Sequence, residues 1–387
     1  MNTKELDNTF IIHSYGRLPV EIVSGKGSIL TDDTGKEYID LGTGIGVNIF
    51  GVCDEEWQKA VTDQLSKFQH TSNYYYTNPC AELAEMLCER TGLKNVFFSN
   101  SGAEANECAI KAARRYSFRK YGEGRHTIIT LKNSFHGRTI ATLAATGQDS
   151  FHTDFGPFPD GFVYAKANDL NDVRRLIDEN NCAGILFESI QGEGGVLPLT
   201  PEFLKGLREL ANQHDLVLIA DEVQTGNGRT GKLYGYMNAG ITPDIVTTAK
   251  GLGGGLPIGA TIFAEKVSEV YTPGAHGSTF GGNPVCCAGA ISILARLDQA
   301  CLDGVCKRSE YIIHSLMGAK GVTEISGMGL MLGISTERDA KEILSECLEK
   351  GVLVLTAKNK IRLLPPLNIP FPQLEKAIET LKEVIAK

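Results

Sequence analysis

The nine residues Leu216-Val217-Leu218-Ile219-Ala220-Asp221-Glu222-Val223-Gln224 decide the fold class. The first five are apolar without the alternation of a strand that has one wet face. The run therefore reads as a strand covered on both faces, as in parallel sheets packed between helices. Similar short apolar runs occur at 96–98, 128–131, 162–164, 184–187, 245–248 and 260–263, with helix-like segments between most of them. These seven runs predict a mainly parallel seven-stranded α/β sheet. Ligands in such sheets bind beyond the carboxyl ends of the strands, so the residues after each run carry the functional reading.

The flanks differ. Runs at 20–23, 28–30 and 37–41, separated by Gly25-Lys26-Gly27 and Asp32-Asp33-Thr34-Gly35, predict a small antiparallel meander. Asn283-Pro284 is a cap followed by a first-turn proline, and a long helix should run from it to about Leu297. A strand at 329–334, a helix at 340–350, strands at 352–355 and 361–364 and a helix from about Gln373 then predict an α+β unit. The expected division is a large domain over 51–285 and a small α+β domain built discontinuously from both termini, 1–50 and 286–387.

Composition bounds the function. The chain has 387 residues, 42% hydrophobic and 22% charged, the mix of a globular protein of two or three domains. Thirty-eight Lys and Arg against 46 Asp and Glu leave a net charge of −8 with no basic block, so a nucleic-acid partner is not expected. Residues 1–10 carry Lys4, Glu5 and Asp7 and form no apolar core of a signal peptide, and the longest nearly apolar stretch, 286–295, is too short to span a bilayer. No membrane partner and a cytoplasmic location are the expectation. The ten cysteines contain no C-x-x-C pair and fit free thiols in a reducing compartment; with no H-E-x-x-H among the eight histidines, no metal site is expected.

Three features carry chemistry. In Ser99-Asn100-Ser101-Gly102-Ala103-Glu104-Ala105-Asn106, a strand meets a Ser/Gly turn and a helix start, which is either ordinary capping or an anion site made of free N–H groups. Asp221-Glu222 closes the central apolar run and is either a turn or a carboxylate held against a cationic ring nitrogen. The run 245–249 ends at Lys250 and opens Gly251-Leu252-Gly253-Gly254-Gly255-Leu256-Pro257. Such a lysine is either a loop residue or a desolvated amine able to attack a carbonyl, with the glycines letting backbone approach a flat ligand. A fourth feature is a decoy. Gly226-Asn227-Gly228-Arg229-Thr230-Gly231-Lys232 fits a phosphate-loop spacing, but Leu233 stands where Ser or Thr should hold magnesium and no helix signal follows.

An anion-binding helix start, a carboxylate and an imine-forming lysine are together the parts that hold pyridoxal phosphate. Asn100-Ser-Gly-Ala-Glu-Ala-Asn106, Phe135-His-Gly-Arg138, Gln191-Gly-Glu-Gly-Gly195, Asp221-Glu-Val-Gln-Thr-Gly226, Ala249-Lys-Gly251 and Ser278-Thr-Phe-Gly-Gly-Asn-Pro284, in this order, resemble the class III pyridoxal-phosphate aminotransferases of fold type I. The resemblance runs from about Tyr15 to the carboxyl terminus. It implies that Ser101, Gly102 and Ala103 hold the phosphate, Phe135 stacks on the ring, Asp221 pairs with the ring nitrogen, Glu222 and Val223 lie beside it, Gln224 touches the ring hydroxyl and Lys250 is the attachment point. Thr279 would reach the phosphate of a neighbouring subunit, which implies a homodimer with shared sites, and Ser278 would lie against substrate. Arg138 is the expected α-carboxylate clamp, and Glu193 with Arg362 resembles a pair in which the arginine binds a carboxylate of glutamate and the glutamate shields it when an ω-amino donor is bound.

The compact length, Phe135-His-Gly-Arg138 and Arg362-Leu-Leu-Pro-Pro-Leu367 most resemble the branch that moves the δ-amino group of N-acetylornithine to 2-oxoglutarate in arginine synthesis. Ornithine, succinylornithine, succinyldiaminopimelate, acetyllysine or 4-aminobutyrate are alternative donors, separated only by a few pocket side chains. An aminomutase or a decarboxylase would keep the cofactor, but neither has use for a switch such as Glu193 beside Arg362. Two departures from the family pattern stand out: Gly51-Val52-Cys53-Asp54-Glu55 replaces a Gly-His-x-His-Pro motif, and Ser326 stands where an arginine is common.

Overall fold

A computed structural model describes residues 1–387. Strands β1 (Ile22–Lys26), β2 (Ile29–Asp32) and β3 (Glu37–Asp40) form the antiparallel meander expected near the amino terminus. Its first turn is tighter than the sequence suggested. Gly27, at φ +60°, takes the left-handed conformation that a side chain disfavours, so Gly25 and Lys26 stay in β1.

The central sheet contains β4 (Asn95–Ser99), β5 (Thr127–Leu131), β6 (Phe162–Ala165) and β7 (Cys182–Glu188). After the short hairpin β8 (Ile190–Gln191) and β9 (Leu197–Pro198) come β10 (Val217–Asp221), β11 (Ile245–Thr248) and β12 (Gly259–Phe263). The seven-stranded order is β4-β12-β11-β10-β7-β5-β6, and only β12 runs against its neighbours. Every one of the seven apolar runs is a strand of this sheet. Val217, Leu218, Ile219 and Ala220 are wholly buried, as a strand with helices on both faces requires.

In the carboxyl-terminal part, β13 (Val322–Met328), β14 (Met331–Thr336), β15 (Val352–Leu353), β16 (Leu355–Ala357) and β17 (Lys360–Leu363) complete the strands. The run at 352–355, expected as one strand, is two. β15 pairs in parallel with β3 of the amino-terminal meander, and β16 pairs with β17 in a second sheet, with Val354 between them. The chain thus crosses between sheets at one buried valine, a change of partner that an unbroken apolar run conceals.

The expected helices are Pro284–Ala295, capped by the Asn283 side chain, Ala340–Glu349 and Phe371–Ile385. The helix Gln299–Leu316 was not foreseen, because Gly304, Lys307, Arg308 and Ser309 dilute its buried stripe of Leu302, Val305, Ile312 and Leu316. An amino-terminal helix, Thr3–Phe10, was likewise unforeseen; it buries nothing and rests on an Asn2–Glu5 capping box. No single helix is long and apolar enough to cross a membrane.

Candidate active site

The carboxyl edge of the sheet builds a cavity of about 440 Å³. Glu188 and Asp221 close the parallel strands β7 and β10 in the same register, so both carboxylates stand side by side in its wall. Lys250 follows β11, and the helix Gly102–Tyr121 points its first turn into the same space.

Lys250 has φ +44°, a conformation that side chains adopt at a cost of about 1–2 kcal/mol. Asn227 secures the turn before it, donating to Thr248 Oγ1 at 3.0 Å and to the Ala249 carbonyl at 3.3 Å. Burial pushes the Lys250 ammonium below the usual lysine range, and the carboxylates of Glu193, Asp221 and Glu188 only partly restore it. The outcome is an amine poised toward its neutral, nucleophilic form.

At the helix start, the Ser101 hydroxyl donates to Glu104 Oε2 at 3.0 Å and accepts from the Glu104 N–H at 3.2 Å. That reciprocal cap occupies Ser101 and leaves the Gly102 and Ala103 N–H groups as first-turn donors without intrahelical acceptors. They line the cavity, where the positive end of the helix favours an anion.

Asp221 Oδ2 accepts from Asn106 Nδ2 at 2.7 Å and lies 2.8 Å from His136 Nδ1, while Oδ1 accepts from the Val223 N–H at 3.1 Å. The carboxylate is thereby held rigid at the cavity wall. Phe135 also faces the cavity and meets Phe151 edge-on. Arg138 lies over the Phe151 ring at 4.3 Å; no protein carboxylate pairs with it, so its planar fork is free for a ligand.

Glu193 and Arg362 form an ion pair at 2.5 Å, with Arg362 only 4% exposed at its side chain. Gln224 sits between them and the cavity, its Oε1 accepting from Arg362 at 3.2 Å. Burial would raise the Glu193 carboxyl, but the Arg362 guanidinium outweighs it and the net shift is downward.

Two expected contacts, Glu222 and Ser278, lie outside this cavity. Glu222, next to Asp221 in an extended chain, points to the opposite face and is consumed by Ser189, Thr225 and the N–H groups of Gly235 and Tyr236. Ser278 Oγ accepts from Asn100 Nδ2 at 3.1 Å and from the Gly281 N–H at 3.0 Å, outside this cavity; Thr279, expected at a neighbouring subunit's site, is exposed in the single chain. Asn106, His136 and Glu188 are among the wall residues that had no assigned role in the sequence reading. Asn106 was findable, since four residues along a helix from Gly102 is the same face. His136 adjoined the stacking aromatic, and Glu188 ends its apolar run just as Asp221 does.

The residues fit pyridoxal phosphate on the chemistry of the donor set: backbone donors for an anion, an aromatic face, a fixed carboxylate for a ring nitrogen, and an unpaired amine.

The aminotransferase class-III family model matches residues 10–385, and the chain belongs to that family. It is 48% identical over 386 residues to the acetylornithine aminotransferase of Haemophilus ducreyi, covering 99% of this chain and 98% of that one. Among solved structures, the N-acetylornithine aminotransferase of Stenotrophomonas maltophilia K279a is 35% identical with a TM-score of 0.84 and 97% coverage of both chains. The ornithine aminotransferase of Toxoplasma gondii, whose active site shows partial occupancy of PLP, is 30% identical with a TM-score of 0.94, covering 99% of this chain and 93% of that one.

Proposed function

We propose that this aminotransferase takes the δ-amino group of N-acetylornithine and passes it to 2-oxoglutarate, using pyridoxal phosphate and acting as a cytoplasmic homodimer. The observation that carries the reading is the Glu193–Arg362 pair beside the cavity. Acetylornithine brings one carboxylate and an uncharged blocked end, whereas glutamate brings two carboxylates. A buried arginine that is covered by Glu193 for the first substrate and uncovered for the second lets one site serve both. In this reading the domain over 51–285 holds the cofactor and the domain made of 1–50 and 286–387 supplies Arg362.

Bound pyridoxal phosphate supplies an electron sink that makes the carbon bearing the amine acidic. Gly102 and Ala103 N–H groups bind its phosphate, Phe135 stacks on the ring and Gln224 contacts the ring hydroxyl. Asp221, fixed by Asn106 and His136, keeps a proton on the ring nitrogen. Lys250, whose buried amine is biased toward its neutral form, would be the residue that holds the cofactor through its carbonyl carbon and, as a free amine, would carry the proton taken from the substrate carbon. Arg138 grips the carboxylate common to both substrates, and Thr279 reaches the partner's phosphate site.

A panel of amino donors with 2-oxoglutarate, following glutamate formation, tests the reading. N-acetylornithine should give the highest kcat/KM. A higher value for ornithine, succinylornithine or 4-aminobutyrate would overturn the substrate while leaving the reaction class standing.

A further inference from the structure

We propose that Glu188 is a positioning residue whose single carboxylate fixes both the ring-stacking Phe135 and the turn that carries Glu193. The inference rests on the reading that Phe135 stacks on the cofactor and that Glu193 covers Arg362.

Glu188 is the last residue of β7 and is 5% exposed. Its Oε1 accepts the Phe135 N–H at 2.8 Å and its Oε2 accepts the Gly192 N–H at 3.3 Å. Neither amide has another acceptor. Phe135 belongs to the loop after β5, and Gly192 opens the turn between β8 and β9, so two loops from separate strands meet on one side chain.

The same turn is closed by the β8–β9 pairing on either side and by the Glu193–Arg362 ion pair, and Glu188 adds the only tie to the Gly192 N–H. A Cβ on Gly192 would lie 2.2 Å from Gln224 Oε1, so a side chain there would push the Gln224 amide aside. Val196, at the end of the same turn, has φ +54°, which is strained for a β-branched residue. Its position is kept by close packing on Gly333 of β14 and by an N–H bond to the Gly192 carbonyl at 3.3 Å. Removing the Glu188 acceptor therefore loosens the backbone at Gly192, the residue next to Glu193, without undoing the hairpin. The chemistry also explains the residue type. A carboxylate accepts two N–H groups from two directions, whereas a glutamine of the same shape offers one oxygen and sets its own NH₂ against the other amide. Burial and the adjacent Asp221 push the Glu188 carboxyl well above the usual range, so the group is retained at a cost.

Glu188→Gln and the shorter Glu188→Asp, each studied as purified holoenzyme and apoenzyme, test the proposal. Hydrogen exchange is read by mass spectrometry on peptides containing Phe135 and Gly192, together with cofactor affinity and the separate rates of the two half-reactions. Glu188→Asp should speed exchange in both peptides, and Glu188→Gln in at least one. Cofactor affinity should fall about tenfold in each, the expected scale for a buried amide left unpaired. The ratio of acetylornithine to glutamate half-reaction rates should shift as well. Exchange that rises in one peptide only in Glu188→Asp, or an unchanged ratio with unchanged cofactor affinity, would overturn it. Failure of the underlying reading would show instead in the wild-type protein, as no bound cofactor or no glutamate formed from N-acetylornithine.

Discussion

At Lys250 a left-handed backbone, a buried amine and the end of an apolar strand coincide. Folding lowers the affinity of this amine for its proton below that of the unfolded chain, whose value is 10.5. Stability of the apoprotein therefore rises with pH from the lowered folded-state value up to 10.5, where the unfolded chain also loses the proton. Lys250→Met removes that cost. The apoprotein variant should melt above wild type at pH 7 by calorimetry, with the gap closing toward pH 10.5. It should show no borohydride-reducible link to the cofactor and no turnover. A lower melting temperature would mean that burial of the amine is compensated. Arg138→Lys replaces a planar fork by a point charge, a loss of about 1–3 kcal/mol that should raise KM for both acetylornithine and glutamate about 5- to 150-fold. Steady-state kinetics in both directions measure it, and the cofactor spectrum should not move. Asp221 and Lys250 were legible in the sequence because each ends an apolar run, Asp221 ahead of a polar turn and Lys250 ahead of a glycine-rich loop. Glu188 ends one too, but Ser189-Ile190-Gln191 continues in extended and buried form, so nothing marked it as a site edge.

Among elements, the helix Gly102–Tyr121 matters most at its first turn. A Cβ on Gly102 would lie 2.6 Å from Val223 Cγ1, and Val223 lines the cavity. Gly102→Ala should displace that valine and weaken cofactor binding about tenfold, or ~1.4 kcal/mol, with little change in melting temperature. Fluorescence titration of the apoenzyme would show this, and unchanged affinity would remove the first turn from the phosphate site. The phosphate-loop decoy finds a structural use instead. Arg229 within it is buried and donates to the carbonyls of Leu330 and Pro365, joining this loop to the carboxyl-terminal sheet region, while burial pulls its guanidinium down to about 9. The departures from the family pattern are also settled locally. Asp54 caps the helix Glu55–Leu65 and pairs with Arg296 at 2.8 Å. Lys360 Nζ stands 2.9 Å from Ser326 Oγ, a cation reaching from β17 across β14 within the same sheet. Neither arrangement touches the cavity wall. Both depend on contacts distant in sequence, which is why motif reading could flag them and not explain them.

Across the whole molecule, all seven central strands could be read from apolar runs, while the exchange between sheets at Val354 could not, since periodicity does not say which strand is the partner. The expected dimer concerns the same scale. Thr279 and Phe280 are exposed in the single chain, Phe280 by 59%, as residues destined for a second copy would be. Mixing Lys250→Ala with Thr279→Ala subunits should rebuild one complete site per mixed dimer. Activity should exceed that of either parent, and no recovery would confine Thr279 to its own chain.

The central claim is that Glu193 and Arg362 let one cavity accept two substrates of different charge. Single-turnover cofactor spectra of Glu193→Ala, recorded separately with N-acetylornithine and with glutamate, test it most directly. The account predicts a slower acetylornithine half-reaction, because the buried guanidinium is left uncovered beside a chain that cannot pair with it, and a glutamate half-reaction that is equal or faster. Slowing of both half-reactions by the same factor would contradict it and leave Glu193 a residue that only shapes its loop.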